Sequence, residues 1–467
     1  MQYERNGLLL QEPLSDQVDQ NLVTSFVALH EGKTATYKLL EPDAEAKEKI
    51  AEEFHAGMNP DLTASQLDQE ALDHQLAELK NWKKILLESD ADPEVLQAYR
   101  WRINEDIAGV HMLRASARGD MRSFKRWNEF IYGKPDKKIY HGALDWFRHD
   151  AQEILANPDS SDELSAAAIA VTELIDATAD READKSAITP DAKNFEAVRQ
   201  NHVKAGGYYA LLLSGVEIPE IGPITPDQGV PILARVVSRN LESDYQTQAV
   251  SGTVWSVSHD RKTVNHPETF RMPVKRFVGL GLGHEIGSHL LEMTNGKRGP
   301  LGLASIGLDR YESGNEGRAV IREQVVYENF DEFSKLVRWR DILRRHVAIS
   351  YASGVGEDAP HEASEVYTFM NAIDRMYHLK ALKPGAEPHE AYEKADSKTT
   401  ALLTRVLKGT DGKGGAYLKD KVYLEGNIAC WNQSPSAIYN GDLGKFDITN
   451  PRHITLLQKL GLLPNNE

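Results

Sequence analysis

Apolar and polar positions divide the chain into stretches of different period. Residues 1–45 show little periodicity and read as a short N-terminal arm. Over residues 46–200 apolar side chains recur at three- and four-residue steps, as in "DPEVLQAYRWRINEDIAGVHMLRASARGD". That spacing predicts helices with one buried face. Asp92-Pro93 is a helix-start signal, with the acidic residue as cap and proline in the first turn. Asn157-Pro158 predicts a break between two helices. The composition changes near 206, where "GGYYALLLSGVEIPEIGPITPDQGVPILARVV" is rich in Gly, Pro and apolar residues. "TVWSVSHDRKTVNHP" alternates and is β-branched, which predicts a hairpin turning at His259-Asp260. Pro273 precedes the apolar helix candidate "VKRFVGLGLGHEIGSHLLEM", and further helices are expected over 315–350 and 360–408. "GTDGKGGAYLKDKVYLEG" reads as a Gly-rich loop leading into an ordered segment. No internal repeat is visible.

The expected organisation is an arm (1–45), a helical scaffold (46–200) and a C-terminal region (201–467) that carries the chemistry. With 467 residues, 41% of them hydrophobic, the chain can bury a substantial core. The net charge of −16 argues against nucleic acid or an anionic membrane as partner, since both require a positive footprint. Cys430 is the only cysteine, which rules out an intrachain disulfide and a thiolate metal cluster. "MQYERNGLLLQEPLSDQ" lacks the layout of a secretory signal, and no window reaches the roughly 18 apolar residues of a membrane span. A cytoplasmic protein is the expectation.

Inside "GLGHEIGSHLLEMTNG" the apolar run is interrupted by His284, Glu285 and His289. Two readings compete: hydrogen-bonded core residues, or a metal site. An unpaired carboxylate in such a stretch costs several kcal/mol unless a cation compensates it, and this favours the metal. On a regular helix, residues five apart diverge by about 140°, from 100° per residue. His284 and His289 therefore face one ion only if an i→i+5 bulge, or a bend near Gly287, brings them together. A nitrogen-rich donor set without thiolate suits Zn²⁺, which takes three protein ligands and keeps an open fourth position. Glu285 would stand beside that position as general base.

A third ligand is expected from "DRYESGNEGRAVIREQVVYENF". Ser313-Gly314-Asn315 reads as a helix start and Glu316 as its first inward carboxylate. Glu312, Glu323 and Glu328 are rivals. Glu323, seven residues after Glu316 and about 20° away on the same face, also suits a role behind a ligand.

"HEIGSHLLEMTNGKRGPL" followed by "GNEGRAV" resembles the HExxxH metallopeptidases of the domain-of-unknown-function 1704 family. Bacterial members of that family are marked by a QEGLA motif, and its animal members are microtubule-associated tyrosine carboxypeptidases. The resemblance implies one zinc ion per chain, held by His284, His289 and Glu316, with Glu285 as catalytic base. Arg318 stands where the motif usually has Leu. "SFKRWNEFIYGKPD", "RVLKG" and "GGAYLKDKVYLEG" are similar to flanking blocks of the family, so the likeness covers residues 100–460. It implies a helix-dominated α+β fold, zincin-like, with a small antiparallel sheet. The implied activity is carboxypeptidase action on a peptide or protein C-terminus.

Lys419 and Tyr423 lie in the last matching block. They are candidates to hold a substrate carboxylate and to support an oxyanion, against the plain readings of a solvated lysine and a core tyrosine. Arg271 and Lys275 carry the same two readings. The 253–266 hairpin is either ordinary sheet or an edge that aligns an extended peptide. His259, His266, His361 and His378 have no metal spacing, and "GTDGKGG" fits no phosphate loop. Cys430 beside Trp431 reads as a buried thiol. Two other functions remain open: a non-catalytic metal-dependent interaction protein, which the intact Glu285 disfavours, and a hydrolase of a small non-peptide amide. The sequence leaves oligomeric state open.

Overall fold

The computed structural model describes residues 19–30, 35–178, 185–220, 222–241, 243–251, 255–258, 261–269, 271–299, 301–356 and 359–463. Helices dominate it, and five short strands form two small sheets, an α+β architecture. Among the described residues no helix is long and apolar enough to cross a membrane.

The helical N-terminal part follows its local signals. Asp92 caps the helix Pro93–Ala117, accepting hydrogen bonds from the amides of Glu94 and Val95. One exposed carboxylate oxygen thus serves amides that have no partner within the helix. The helix Lys137–Ala156 ends at Asn157, and Ser161 starts the next at Asp162. The stretch expected as an arm is more ordered than its weak period suggested. Gln20–His30 is a helix whose Phe26 is fully buried against the rings of Trp82 and Tyr99. Four buried residues suffice to dock it onto the scaffold, too few to give a strong repeat. The first 18 residues lie outside the described ones.

Strands β1 (Pro223–Ile224) and β5 (Met272–Pro273) pair antiparallel. The other sheet has the order β2-β4-β3, with β2 at Gln246–Val250, β3 at Ser256–Ser258 and β4 at Thr263–Pro267. β3 and β4 form the expected antiparallel hairpin, with Val257 opposite Val264. Its turn at His259-Asp260 lies outside the described residues. β2 adds to the other side of β4 in parallel. The sheet backs the helix that carries the histidines: Trp255 packs edge-on to Phe277 and leans on His266. His266 is buried there, its Nδ1–H donating to the Pro267 carbonyl at 2.7 Å.

Candidate metal centre

The histidine helix is a π-helix from Phe277 to Leu290. The distortion is therefore a long run and not the single bulge or bend expected. Its i→i+5 pattern is visible in the Leu291 amide, which donates to the Ile286 carbonyl, and in the Ser288 hydroxyl, which donates to the Gly283 carbonyl at 3.1 Å. Positions five apart then share a face, and the rings of His284 and His289 meet at 4.9 Å between centroids. Close approach explains the glycine between them. A Cβ on Gly287 would lie 1.7 Å from the Tyr208 hydroxyl and 2.8 Å from the Leu282 carbonyl.

Glu316 comes from the helix Glu312–Gln324. That helix begins at Glu312, so Ser313-Gly314-Asn315 lie within its first turn and do not cap it. Gly314 and Gly317 are where neighbouring chain comes closest. A Cβ on Gly317 would meet the Gly426 carbonyl at 2.3 Å, and one on Gly426 would meet the Ser313 carbonyl at 2.0 Å. Asn427 Nδ2 ties the crossing by donating to the Gly317 carbonyl at 3.2 Å. The helix Val422–Trp431 is thereby pressed against Glu316, and Tyr423 on its first turn comes with it.

Glu316 Oε2 lies 3.6 Å from Nε2 of His284 and 3.6 Å from Nε2 of His289. One donor atom from each of the three residues falls within 4.8 Å of the others. Tetrahedral zinc with bonds near 2.0–2.1 Å separates its donors by about 3.3 Å. The donor set fits that ion. Among the described residues Glu316 Oε2 is moreover buried without a hydrogen-bond partner, the state of a ligand atom aimed at a cation. Burial alone would raise the Glu316 carboxyl, but His289 and His284 outweigh it and hold the group well below its ordinary range. His289 mirrors this: burial opposes its charge, Glu316 prevails, and its pKa is pushed up to about 9.

Behind the triangle, Nδ1 of His284 lies 2.7 Å from Glu323 Oε1. Glu323 thus turns Nε2 of His284 toward Glu316, as a carboxylate does behind a metal-bound imidazole. Arg338 holds Glu323 in turn, with Nη2 at 2.6 Å from Oε1 and Nε at 2.8 Å from Oε2. Against the pull of burial, Arg338 and His284 keep Glu323 ionised, its pKa lowered to about 2. Of the rival carboxylates, Glu312 is engaged by Lys419 at 2.8 Å, and Glu328 is exposed.

Glu285 is half-buried beside the two histidines. Burial raises its carboxyl above the ordinary value; Glu316 and Glu323 add to this, while His284 and His289 oppose it. A carboxylate shifted upward is a better proton acceptor near neutral pH.

Arg318, which departs from the related motif, is fully buried. It pairs with Glu292, lies 3.0 Å from Asp442 Oδ1 and donates to the Ile438 carbonyl at 3.2 Å. Arg322 joins the same network, reaching Asp442, the Gly287 carbonyl and the Ser288 hydroxyl at 3.0 Å. Glu292 also accepts from Asn315. The network clamps the Glu316 helix onto the π-helix, and Arg318 serves that clamp from a position away from the triangle.

Lys419 and Tyr423 stand on the Glu316 side. Burial raises the Tyr423 phenol and Glu316 raises it further. Lys419 is nearly buried, faces Glu312 and lies 5.4 Å from the Tyr37 ring centre. The "RVLKG" and "YGKP" blocks converge on the same segment. Arg405 pairs with Asp420, the Tyr132 hydroxyl meets that of Tyr417 at 2.9 Å, and the Asp136 amide donates to Glu425. A cavity of about 760 Å³ approaches from the outside and reaches this region at Arg405 and Lys408.

Lys275 pairs with Glu332 at 2.7 Å at the surface, away from the triangle. Cys430 is buried, its thiol 3.6 Å from the Gly314 carbonyl. Arg338, Arg345, Arg322 and Asp442 escaped the sequence reading. The seven-residue spacing of Arg338 and Arg345, which puts both on one helix face, was the available signal.

Residues 257–463 match the family model of the microtubule-associated tyrosine carboxypeptidases. The matched stretch contains the π-helix, Glu316, Lys419 and Tyr423, and leaves the helical N-terminal part outside. No curated protein and no solved structure matches the chain.

Proposed function

We propose that this chain is a zinc-dependent metallopeptidase of zincin-like type that removes residues from the C-terminus of a peptide or protein. The observation that carries the reading is the triangle of His284, His289 and Glu316 with Glu285 beside it. The match over residues 257–463 to a carboxypeptidase family supports the choice of bond and end. The proposed complement is one zinc ion per chain.

A divalent ion held by these three side chains would supply Lewis acidity toward a peptide carbonyl and lower the pKa of a water. The chain's own groups account for the rest. Glu285 takes a proton from the attacking water and returns it to the leaving amine. Glu323, fixed by Arg338, keeps His284 in one tautomer and one orientation. Tyr423 remains a protonated phenol because burial and Glu316 both disfavour its ionisation, and so it serves as a donor to developing negative charge. Lys419 adds a positive field on the same side.

The family's description names tyrosine and microtubules. At a net charge of −16, this chain has no electrostatic preference for acidic protein tails. We therefore propose a peptide or protein C-terminus as substrate class, and no nucleic acid or membrane partner. A cytoplasmic location belongs to the same reading.

The test is to incubate the zinc-loaded chain with a peptide mixture and identify products by mass spectrometry. Stepwise loss from free C-termini is expected, unaffected by N-terminal acetylation, stopped by C-terminal amidation and absent in Glu285→Gln. Trimming from the N-terminus would refute the choice of end.

A further inference from the structure

A carboxypeptidase must tell a terminal carboxylate from an internal amide. The group that does so sits close to the ion, because one residue of extended chain spans only about 3.3–3.6 Å. It must also offer donors that nothing else occupies, since a partly dehydrated carboxylate needs several hydrogen bonds.

Five cations surround the Tyr423 side of the triangle, and four are engaged. Arg338 is held by Glu323, Arg405 by Asp420, Lys408 by Glu41 at 3.5 Å and Lys419 by Glu312. Arg345 differs. It lies on the helix Val337–Ala352, two turns after Arg338 and on the same face. Its nearest carboxylate is Asp420, 4.0 Å from Nε and already gripped by Arg405. Among the described residues its guanidinium makes no hydrogen bond, although its side chain is only 17% exposed. The guanidinium carbon stands 5.2 Å from the centre of the Tyr423 ring. Tyr423 in turn lies within electrostatic range of Glu316. Arg345 therefore stands beside a tyrosine that feels the charge of the ligand Glu316.

We propose that Arg345 is the residue that recognises the substrate's terminal carboxylate, through the paired N–H groups of its guanidinium. The proposal rests on the carboxypeptidase reading above and names the residue that makes it specific. Five fixed donors in a planar fork match a carboxylate edge to edge, which the point charge of Lys419 does not. Stacking on Tyr423 fixes the plane of the fork while leaving its donors free. Burial and the nearby Arg405 make Arg345 a cation in surplus, and an arriving carboxylate restores the balance.

Binding can be measured apart from turnover. In the full-length, zinc-loaded Glu285→Gln chain, the probe is a peptide that the parent enzyme cleaves, prepared as free acid and as C-terminal amide. The free acid is expected to bind more tightly. Adding Arg345→Gln should weaken its binding roughly 10- to 100-fold, the range for hydrogen bonds to a charged group, and leave the amide unchanged. Arg345→Lys should fall between, because it keeps the charge and loses the fork. Zinc content and the urea unfolding curve identify a variant that fails to fold, and Arg345→Lys then carries the test. If the parent prefers the free acid and folded Arg345→Gln or Arg345→Lys keeps that preference in full, Arg345 is not the receptor and the carboxypeptidase reading survives. If the parent binds and cleaves acid and amide alike, the carboxypeptidase reading itself falls.

Discussion

Replacing Arg318 with leucine, the residue of the related motif, should destabilise this chain strongly and in a pH-dependent way. Arg318 and Glu292 are both fully buried, and among the described residues Glu292 has no other partner of full charge in direct contact. Even beside Arg318 its pKa is pushed up to about 7, because burial outweighs the attraction of Arg318 and the more distant His289 and Arg322. Without Arg318 the carboxyl protonates rather than remain a buried bare charge. Up to about pH 7 the parent bears the same protonation cost, since its own Glu292 is also protonated when folded. Above that pH the parent's Glu292 ionises beside Arg318, whereas in Arg318→Leu it must keep its proton. The difference grows by about 1.4 kcal/mol per pH unit and reaches about 2.7 kcal/mol at pH 9. This approaches the ~3–5 kcal/mol typical of breaking a buried pair. The sign follows from proton binding. A carboxyl with a raised folded-state pKa holds its proton in the folded chain after the unfolded chain has released it, so stability falls with rising pH, up to about pH 7 in the parent and beyond it in the variant. Urea unfolding of parent and Arg318→Leu at pH 6 and pH 9 measures the difference. Arg318→Leu/Glu292→Gln should recover most of the extra loss at pH 9, since an uncharged amide replaces the stranded acid. A loss at pH 9 that exceeds the loss at pH 6 by less than ~1 kcal/mol, the scale of an exposed pair, would refute the reasoning.

Four further outcomes are expected. Elemental analysis should find close to one zinc per chain, lost in His284→Ala, His289→Ala and Glu316→Ala. Glu285→Gln should keep the metal and lose roughly 10²- to 10⁴-fold in turnover. Glu323→Gln should keep all three ligands yet weaken zinc binding roughly 10- to 100-fold in a chelator competition, because His284 loses the carboxylate that orients it; affinity equal to the parent's would remove Glu323 from its supporting role. His202 is fully buried, and burial together with Arg322 lowers its pKa to about 3. Its folded form resists protonation that the unfolded chain accepts below 6.5, so stability should fall with pH from 6.5 toward 3, by about 2 kcal/mol at pH 5. Comparing urea midpoints of parent and His202→Phe at pH 7.5 and 5 isolates that contribution, and an identical acid response in both would exclude it.

Local chemistry was legible wherever the deciding interaction lies within a few residues. Asp92-Pro93 opens a helix because the cap and the amides it serves are neighbours in the chain. Asn157-Pro158 ends one for the same reason. The five-residue spacing of His284 and His289 announced a departure from the regular helix, by an i→i+5 turn or a bend near Gly287, because a regular helix keeps the two rings on different faces. The length of the π-helix was not legible. It depends on Tyr208 and the Arg322 guanidinium pressing on Gly287 and its carbonyl from distant parts of the chain. Glutamates posed the same difficulty. Glu312, Glu316 and Glu323 share one helix and one side-chain chemistry, and spacing leaves all three open as ligands. The fold separates them by giving Glu312 to Lys419 and Glu323 to Arg338 and His284 Nδ1, while Glu316 Oε2 keeps no hydrogen-bond partner between the two histidines. Arg318 was an anomaly in the sequence because its partners Glu292 and Asp442 lie 26 and 124 residues away. Arg345 was one arginine among many until packing used up the carboxylates around it. Sequence alone determined which side chains can cap, turn, titrate or ligate. Tertiary structure decided which of them remain unsatisfied at one point in space, because burial makes an unpartnered charge costly and contacts between distant segments settle which charges find partners.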